Sequence, residues 1–442
     1  MSKRCLPKIG LLYLDYVLRF FDRSNFKGWP DTIETVTYHW GNDKVRFINE
    51  VRRKNIDVLV GNIPATAYDT FKEIASALPG VRFIPSIETQ FCNKSKENVT
   101  LFCRKYHLQD PPTKIFYDIE EGYKYLKTAR YPKIVKRSYG PSNYGGYFVH
   151  KVNNYAEAKA LFDEKKYVPM YIQDAIKLKD SGDIRVMLIG HKPVCAFWRY
   201  SGAGEWITNT SQGGSMSYDN VPMNALELAV KASKAAKAEY WACDIAIDET
   251  TLEPYILECA TAFAAFPYIR DWICQYIMWD LSEGRFRLPH VPLFSWEELG
   301  KMDASVLRTL RHLYFARYEP SADGAYWLAD KGGFDMERTD ASEPDDVPKP
   351  IAPPKREEEL PKVVKEAFDA SDAHSSGLSG SELFDFETVT LTELLSLYGM
   401  DEEVAIKIKE LLDTHAIASF EDLKEYDFIA PQQYAQWQKS FK

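Results

Sequence analysis

Apolar positions recur along the chain in two rhythms, and each change of rhythm marks an element. Residues 8–14 (KIGLLYL) and 56–61 (IDVLVG) are continuous apolar runs of buried-strand length. Between them, 43–55 places Val45, Phe47, Ile48 and Val51 on one face of a helix. FKEIASALPG and VRFIP follow, and this strand–helix–strand order predicts a small α/β domain over 1–90. Residues 95–107 predict a helix with Ser95 at its N-cap, stopped by QDPPT, and 120–130 a second, tyrosine-rich one. PKIVKRSYGPSNYGGYFVHK predicts a β-hairpin. Its first strand carries Ile134 and Val135 and ends on Lys136, its tip holds Gly140, Gly145 and Gly146, and it returns at 147–149.

Downstream, 153–165 reads as a helix and 167–177 as a strand running into a connector. Strands at 183–190 and 193–201 are joined by His191-Lys192, and a polar, glycine-bearing loop occupies 205–215. A helix at 222–238 precedes a second hairpin, 241–248 with 254–260. Dense aromatics at helical spacing from 262 to 330 predict a closing helical layer. The next stretch is charged, poor in large apolar residues and carries Pro344, Pro348, Pro350, Pro353, Pro354 and Pro361, which predicts an extended linker over 331–380. Helical period returns from 388, with four short helices expected in a module spanning 381–442.

Composition narrows this picture without changing it. The 442 residues suffice for two or three domains, and 45% hydrophobic with 27% charged residues is ordinary for a soluble globular chain. A net charge of −9 argues against nucleic-acid binding by the surface as a whole, though not by a local basic cleft. The seven cysteines include no CxxC pair and several sit in apolar runs, the pattern of buried free thiols. Together with the lack of a signal-like or membrane-length apolar stretch, this predicts a cytoplasmic protein.

Four features carry candidate chemistry. The glycine-bearing hairpin with Lys136 at its base reads either as a tight turn or as a flap whose backbone N–H groups approach phosphate oxygens. It is not a Walker A loop, lacking GK[ST], nor a Rossmann turn, since no helix begins there. Asp244 and Glu258 lie on adjacent strands where the apolar pattern calls for core residues; they either face water or share a cation, and an all-oxygen set favours Mg²⁺. Arg185 and Arg199 lie on neighbouring strands and either face a polyanion or pair with Asp183. Asn209, Gln212, Gly213 and Gly214 add neutral donors in a loop.

Taken in order, Lys96, Lys136 with Gly140, Gln173-Asp174, Asp183-x-Arg185, Asn209 with Gly213-Gly214, Asp244 and Glu258 resemble the ATP-grasp superfamily, most closely its RimK-like carboxylate–amine ligases, over residues 8–275. The resemblance implies an α/β (α+β) ATP-grasp fold: an N-terminal pre-ATP-grasp α/β domain, an ATP-grasp domain over 91–330, and a small all-α C-terminal module. Within the ATP-grasp domain it implies a flap subdomain at 113–172, a catalytic subdomain at 173–280 and the helical layer to 330. It implies ATP and Mg²⁺ as cofactors. Lys96 and Lys136 would hold phosphates, and Gln173, Asp174, Ala175 and Ile176 would form the adenine hinge. Asp183 would contact ribose, Ile207, Thr208 and Asn209 would line the nucleotide site, Arg185 would face the transferring phosphate, and Asp244 and Glu258 would bind metal.

Two positions depart from the family pattern. Ala260 stands where a Glu-x-Asn motif supplies an amide ligand, leaving Thr261 or Asp248 as possible substitutes, and Gln212 replaces a usual arginine. The C-terminal module resembles tandem helix-hairpin-helix repeats, with the hairpin reduced to Gly399-Met400-Asp401. Five lysines against ten acidic residues in 388–442 favour a protein partner over DNA there. The expected function is an ATP- and Mg-dependent ligase that joins a carboxylate, of an amino acid or peptide, to an amine through an acyl phosphate, with no membrane partner. Its alternatives are attachment of an amino acid to modified nucleic acid, or a catalytically degenerate nucleotide-binding scaffold.

Overall fold

The computed structural model describes residues 6–14, 19–40, 43–139, 148–201, 215–289, 296–310 and 336–339, and in a second compact unit 386, 394, 402–413, 417 and 419–425. The units divide at Pro353 and Pro354.

The first unit opens with a four-stranded parallel sheet, ordered β2-β1-β3-β4 (β1 Ile9–Leu14, β2 Glu34–Tyr38, β3 Val58–Val60, β4 Arg82–Ile84). Helix α1 (Lys44–Arg53) packs through Phe47, Ile48 and Val51 beside α2 (Tyr68–Ala77). Val45, expected on the same face, is 67% exposed, because position 45 lies in the first turn and outside the sheet contact. Strand β2 escapes the apolar pattern: only Val36 and Tyr38 of ETVTY are buried, as suits an edge strand.

Helix α3 (Lys96–Lys105) follows, capped by the Ser95 hydroxyl on the Asn98 amide at 3.1 Å. An antiparallel sheet then forms in the order β5-β8-β6-β7 (β5 Thr113–Phe116, β6 Lys133–Lys136, β7 Val149–Val152, β8 Met170–Asp174). Helices α4 (Ile119–Thr128) and α5 (Tyr155–Lys165) lend Leu126, Ala158 and Phe162 to its own small core. The return strand of the hairpin starts at Val149, two residues later than the apolar run suggests, because Val149 is the residue in register with Lys136.

The largest sheet is antiparallel, ordered β11-β10-β9-β12-β13 (β9 Leu178–Ile189, β10 Lys192–Tyr200, β11 Ser215–Ser217, β12 Tyr240–Asp248, β13 Pro254–Ala260). Strand β12 is buried from Tyr240 to Ile247, with α6 (Met223–Ala235) packed over the sheet. Helix α7 (Pro267–Leu281) buries Tyr268, Ile269, Trp272, Ile273, Tyr276 and Ile277, and short helices α8 (Trp296–Gly300) and α9 (Ala304–Thr309) follow. Six cysteines are free and buried; Cys5 lies outside the described residues. Among the described residues no helix is long and apolar enough to cross a membrane.

In the second unit, a helix Glu402–Asp413 buries Ile408 and Leu412, and Phe386 meets Phe420 edge-on at 5.4 Å. The helix expected over SFEDLKEY is a short 3₁₀ helix, Phe420–Glu425, whereas most of LTELLSLYG, all of APQQYAQWQKS and Gly399-Met400-Asp401 lie outside the described residues.

Candidate active site

Strand register gathers the charged side chains of the largest sheet on one face. Asp183 and Arg185 are two residues apart on β9 and so point the same way. Across the ladder, Asp183 pairs with Arg199 of β10, Arg185 with Asp244 of β12, and Asp244 with Glu258 of β13. Five ionisable groups, two arginines and three acids, thereby form a row across four strands, with the acids Asp244 and Glu258 side by side at one end. Arg185 grips Asp244 in a two-pronged contact, Nε to Oδ1 at 2.9 Å and Nη2 to Oδ2 at 2.8 Å. Arg199 holds both oxygens of Asp183 and reaches Asp244 Oδ2 at 2.8 Å. Burial pushes the Asp244 carboxyl up, but the two guanidinium groups outweigh it and hold it well below the usual carboxylate range. The pairing of Arg199 with Asp183 is a buried bridge inside the row, not a surface one.

Lysines reach this row from two other elements. Lys96, the first residue of α3, places Nζ 3.0 Å from Glu258 Oε2 and lowers the Glu258 pKa against the opposing effect of burial. Its backbone amide donates to Ser138 O at 2.8 Å, and Ser95 bridges Tyr139, so the start of α3 is stitched to the chain just beyond β6. That stitching brings Lys136, at the end of β6, to the same place. Lys136 is 7% exposed, and its Nζ donates to Gln173 Oε1 at 2.7 Å. Burial first, and the neighbouring Lys96 second, bring its pKa down to about 7, while Glu258, Asp110 and Asp183 act in the other direction. All seven side chains therefore act within one electrostatic neighbourhood.

Gln173 is the centre of a buried relay. Its Nε2 donates to Thr113 Oγ1 at 2.9 Å and to the Tyr171 hydroxyl at 3.2 Å, which in turn meets Thr100 Oγ1 at 2.9 Å. Asp174 pairs with Lys133, and Ala175 and Ile176 form the half-buried connector from β8 to β9. Gly140, Ile207, Thr208 and Asn209, like Gln212, Gly213 and Gly214, lie outside the described residues.

Mg²⁺ requires oxygen donors and is commonly held by one or two carboxylates together with phosphate oxygens. Asp244 and Glu258, opposed in register, are such a pair, so the donor chemistry fits; among the described residues no third acid or histidine joins them. Neither suggested substitute for the missing amide stands ready. Thr261 is fully buried, its amide donating to Asn93 Oδ1 at 2.9 Å and its hydroxyl 2.8 Å from Asn93 Nδ2. Asp248 accepts from the Thr250 and Thr251 amides at 2.9 and 2.8 Å, capping the β12–β13 turn.

Two contributors were not legible as site residues: Asn93 gave no signal, and Asp110 looked like part of a helix-stopping loop. Asp110 faces Lys136 electrostatically, and burial raises its pKa to about 6.

Comparison with known proteins bears on this geometry. The family model for the RimK-like ATP-grasp domain matches residues 93–264. The chain is similar to the tetrahydromethanopterin:alpha-L-glutamate ligase of Methanosarcina acetivorans, with 34% identity over 76 residues, 17% of this chain and 23% of that protein. The match thus spans under a quarter of that ligase's length. Among solved structures, a RimK-domain ATP-grasp protein from Sphaerobacter thermophilus aligns with TM-score 0.41 and 13% identity, covering 57% of this chain and 90% of that one. N5-carboxyaminoimidazole ribonucleotide synthetase from Thermotoga maritima aligns with TM-score 0.48 and 14% identity, covering 65% of this chain and 78% of that one. The family match contains Lys96, Lys136, Asp183, Arg185, Asp244 and Glu258 together with the sheet that aligns them, and through residues 93–264 the chain carries an α/β ATP-grasp domain of the RimK-like family.

Proposed function

We propose that this protein is an ATP- and Mg-dependent ligase that joins a carboxylate, of an amino acid or peptide, to an amine and releases ADP. One observation carries the reading: two lysines from separate elements converge on a sheet-borne row of arginines and carboxylates. Such a surface suits a triphosphate, whose charge falls to Lys96, Lys136 and Arg185.

A carboxylate is a poor electrophile, so its oxygen first attacks the γ-phosphorus. The bond from that phosphorus to the bridging oxygen breaks, and ADP leaves an acyl phosphate behind. The amine then attacks the acyl carbon, loses a proton, and phosphate departs. Both steps crowd negative charge. Lys136 and Lys96 bind the phosphates, and Arg185, turning from Asp244, faces the transferred group. Asp183, with both oxygens on Arg199, shares them with ribose hydroxyls, and the Gln173 strand and its connector flank the base. Mg²⁺, held by Asp244 and Glu258, would neutralise phosphate charge. The protein contributes position and fixed charge in a closed cleft, without a covalent nucleophile.

The acidic module at 381–442, tethered by the 331–380 linker, would recruit a protein-type macromolecular partner and raise its effective concentration. A second reading has a specific observation behind it. Ala260 offers no donor and Thr261 is bound by Asn93, which favours a nucleotide-binding protein that has lost catalysis. Calorimetric titration with Mg-ATP, for wild type and Lys136→Ala, tests the shared part: binding by the first and its loss in the second is expected, and no binding by wild type ends both readings. ADP formation across an amino-acid panel then separates them. L-glutamate heads that panel because the similar archaeal ligase is named for it.

A further inference from the structure

We propose that a cleft on the N-terminal parallel sheet, away from the ionic row, binds the phosphate or carboxylate group of a small molecule through Arg19 and Arg23. The cleft has a volume of about 430 Å³ and is lined by Tyr13, Arg19, Asp22, Arg23, Ser24, Thr35 and Thr37. That size suits a small ligand and not a macromolecular polyanion.

Register explains how the cleft arises. Tyr13 of β1 pairs with Thr37 of β2, so the cleft opens near the carboxyl ends of two parallel strands, where open α/β sheets commonly bind ligands. Tyr38 points to the other face, packing on Phe47 and Phe71 of the helices, so alternation turns Thr35 and Thr37 away from them. On that second face the 20–29 segment is fixed: Phe20 stacks on Tyr240 at 5.6 Å, Asn25 Nδ2 donates to Asp271 Oδ1 at 2.5 Å, and Trp29 stacks on Phe286 at 5.4 Å. The cleft is the gap between this wedge and the sheet edge.

Its chemistry is that of an oxyanion site. Arg19 lies 4.5 Å over the Tyr13 ring, which holds the guanidinium plane at the cleft wall. Arg23 makes no ion pair among the described residues, and at the buried Tyr13 hydroxyl Arg19 first and Arg23 last act against burial, with Asp22 between them acting the other way, so all three charges meet at this spot. Asp22 accepts from the Ser24 amide at 2.7 Å and the Ser24 hydroxyl in its own turn, and against two arginines this single carboxylate leaves the cleft lining net positive. Thr35 and Thr37 give their carbonyls to Lys54 and Arg46, leaving two hydroxyls as ligand donors. No lining residue belongs to the row on the largest sheet.

The test titrates the full-length protein with inorganic phosphate and, separately, with succinate at low ionic strength. Saturable binding of at least one, with a dissociation constant on the order of 1 mM, is expected. In the Lys136→Ala background, which disables the ionic row, Arg23→Gln and Arg19→Gln each weaken it about tenfold or more, whereas Arg53→Gln, an exposed arginine on α1, leaves it unchanged. Phosphate alone marks a phosphoryl group, succinate alone a carboxyl group, and both a general oxyanion site; each supports the proposal. Binding of neither anion overturns it, as does affinity that survives both cleft substitutions or falls equally in Arg53→Gln. Because every variant carries Lys136→Ala, the cleft is read without the ionic row and the outcome does not depend on ligase activity.

Discussion

The buried amine of Lys136 should make nucleotide binding depend on pH. In the ligand-free protein its pKa lies at about 7, lowered by burial and by Lys96. A triphosphate beside it restores the charged form, towards an ordinary lysine pKa of about 10.4. Binding must then supply a proton to every protein molecule whose Lys136 is neutral, and that fraction rises from about a tenth at pH 6 to about nine-tenths at pH 8. Affinity for Mg-ATP should therefore fall by about tenfold between those values, roughly 1.4 kcal/mol. The sign follows from the shift: protonation is favoured in the complex, so low pH favours binding. Calorimetry at pH 8 in two buffers of different ionisation enthalpy should report uptake of about 0.9 proton per nucleotide. Lys136→Arg remains charged throughout and should lose both the slope and the proton uptake, whatever its absolute affinity. The reasoning is refuted if wild type shows no slope, or if Lys136→Arg keeps the same one.

Three further outcomes follow from buried polar groups. Arg199→Leu strands Asp183 without its partner and should cost about 3–5 kcal/mol in denaturant unfolding, with much of it recovered in the Arg199→Leu/Asp183→Leu double variant; a single-variant loss under about 1 kcal/mol would contradict this. Asn93→Ala removes the group that binds Ile63 O, the Thr261 amide and hydroxyl and the Ala262 amide, so about 3 kcal/mol should be lost, read from the urea midpoint at constant m-value. Glu239, 1% exposed and beside Asp280 and Arg82, has its pKa raised to about 7 by burial. A raised carboxyl takes up protons on folding, so stability should decline as pH climbs from about 4.5 to about 7, by up to about 3 kcal/mol, and level off above. Glu239→Gln should flatten that decline, and an unchanged pH profile would remove the assignment.

Most helices could be read along the chain because their cause is local. The apolar spacing of Phe47, Ile48 and Val51 and the caps at Ser95, Asp118 and Asn154 act within one or two turns. Strand β2 could not, since ETVTY has too few apolar positions and is held at the sheet edge by pairing with β1. Val45 went to solvent for a related reason: helical periodicity defines a face, but the neighbouring sheet decides how far along that face contact extends.

What the amino-acid order settled by itself was the inventory: buried β-strands bearing acids and arginines, a lysine at the base of a glycine-bearing hairpin, and spacings resembling the RimK-like ATP-grasp family. What only the tertiary structure decided was which charges meet. Strand register placed Arg185 opposite Asp244 and Asp244 opposite Glu258, the stitch between Lys96 and Ser138 carried Lys136 to them, and Asn93 claimed Thr261 from a distance of 168 residues along the chain. Periodicity encodes the direction in which a side chain leaves its own backbone. The partner it finds there depends on long-range pairing, for which no signal short of the assembled sheet exists.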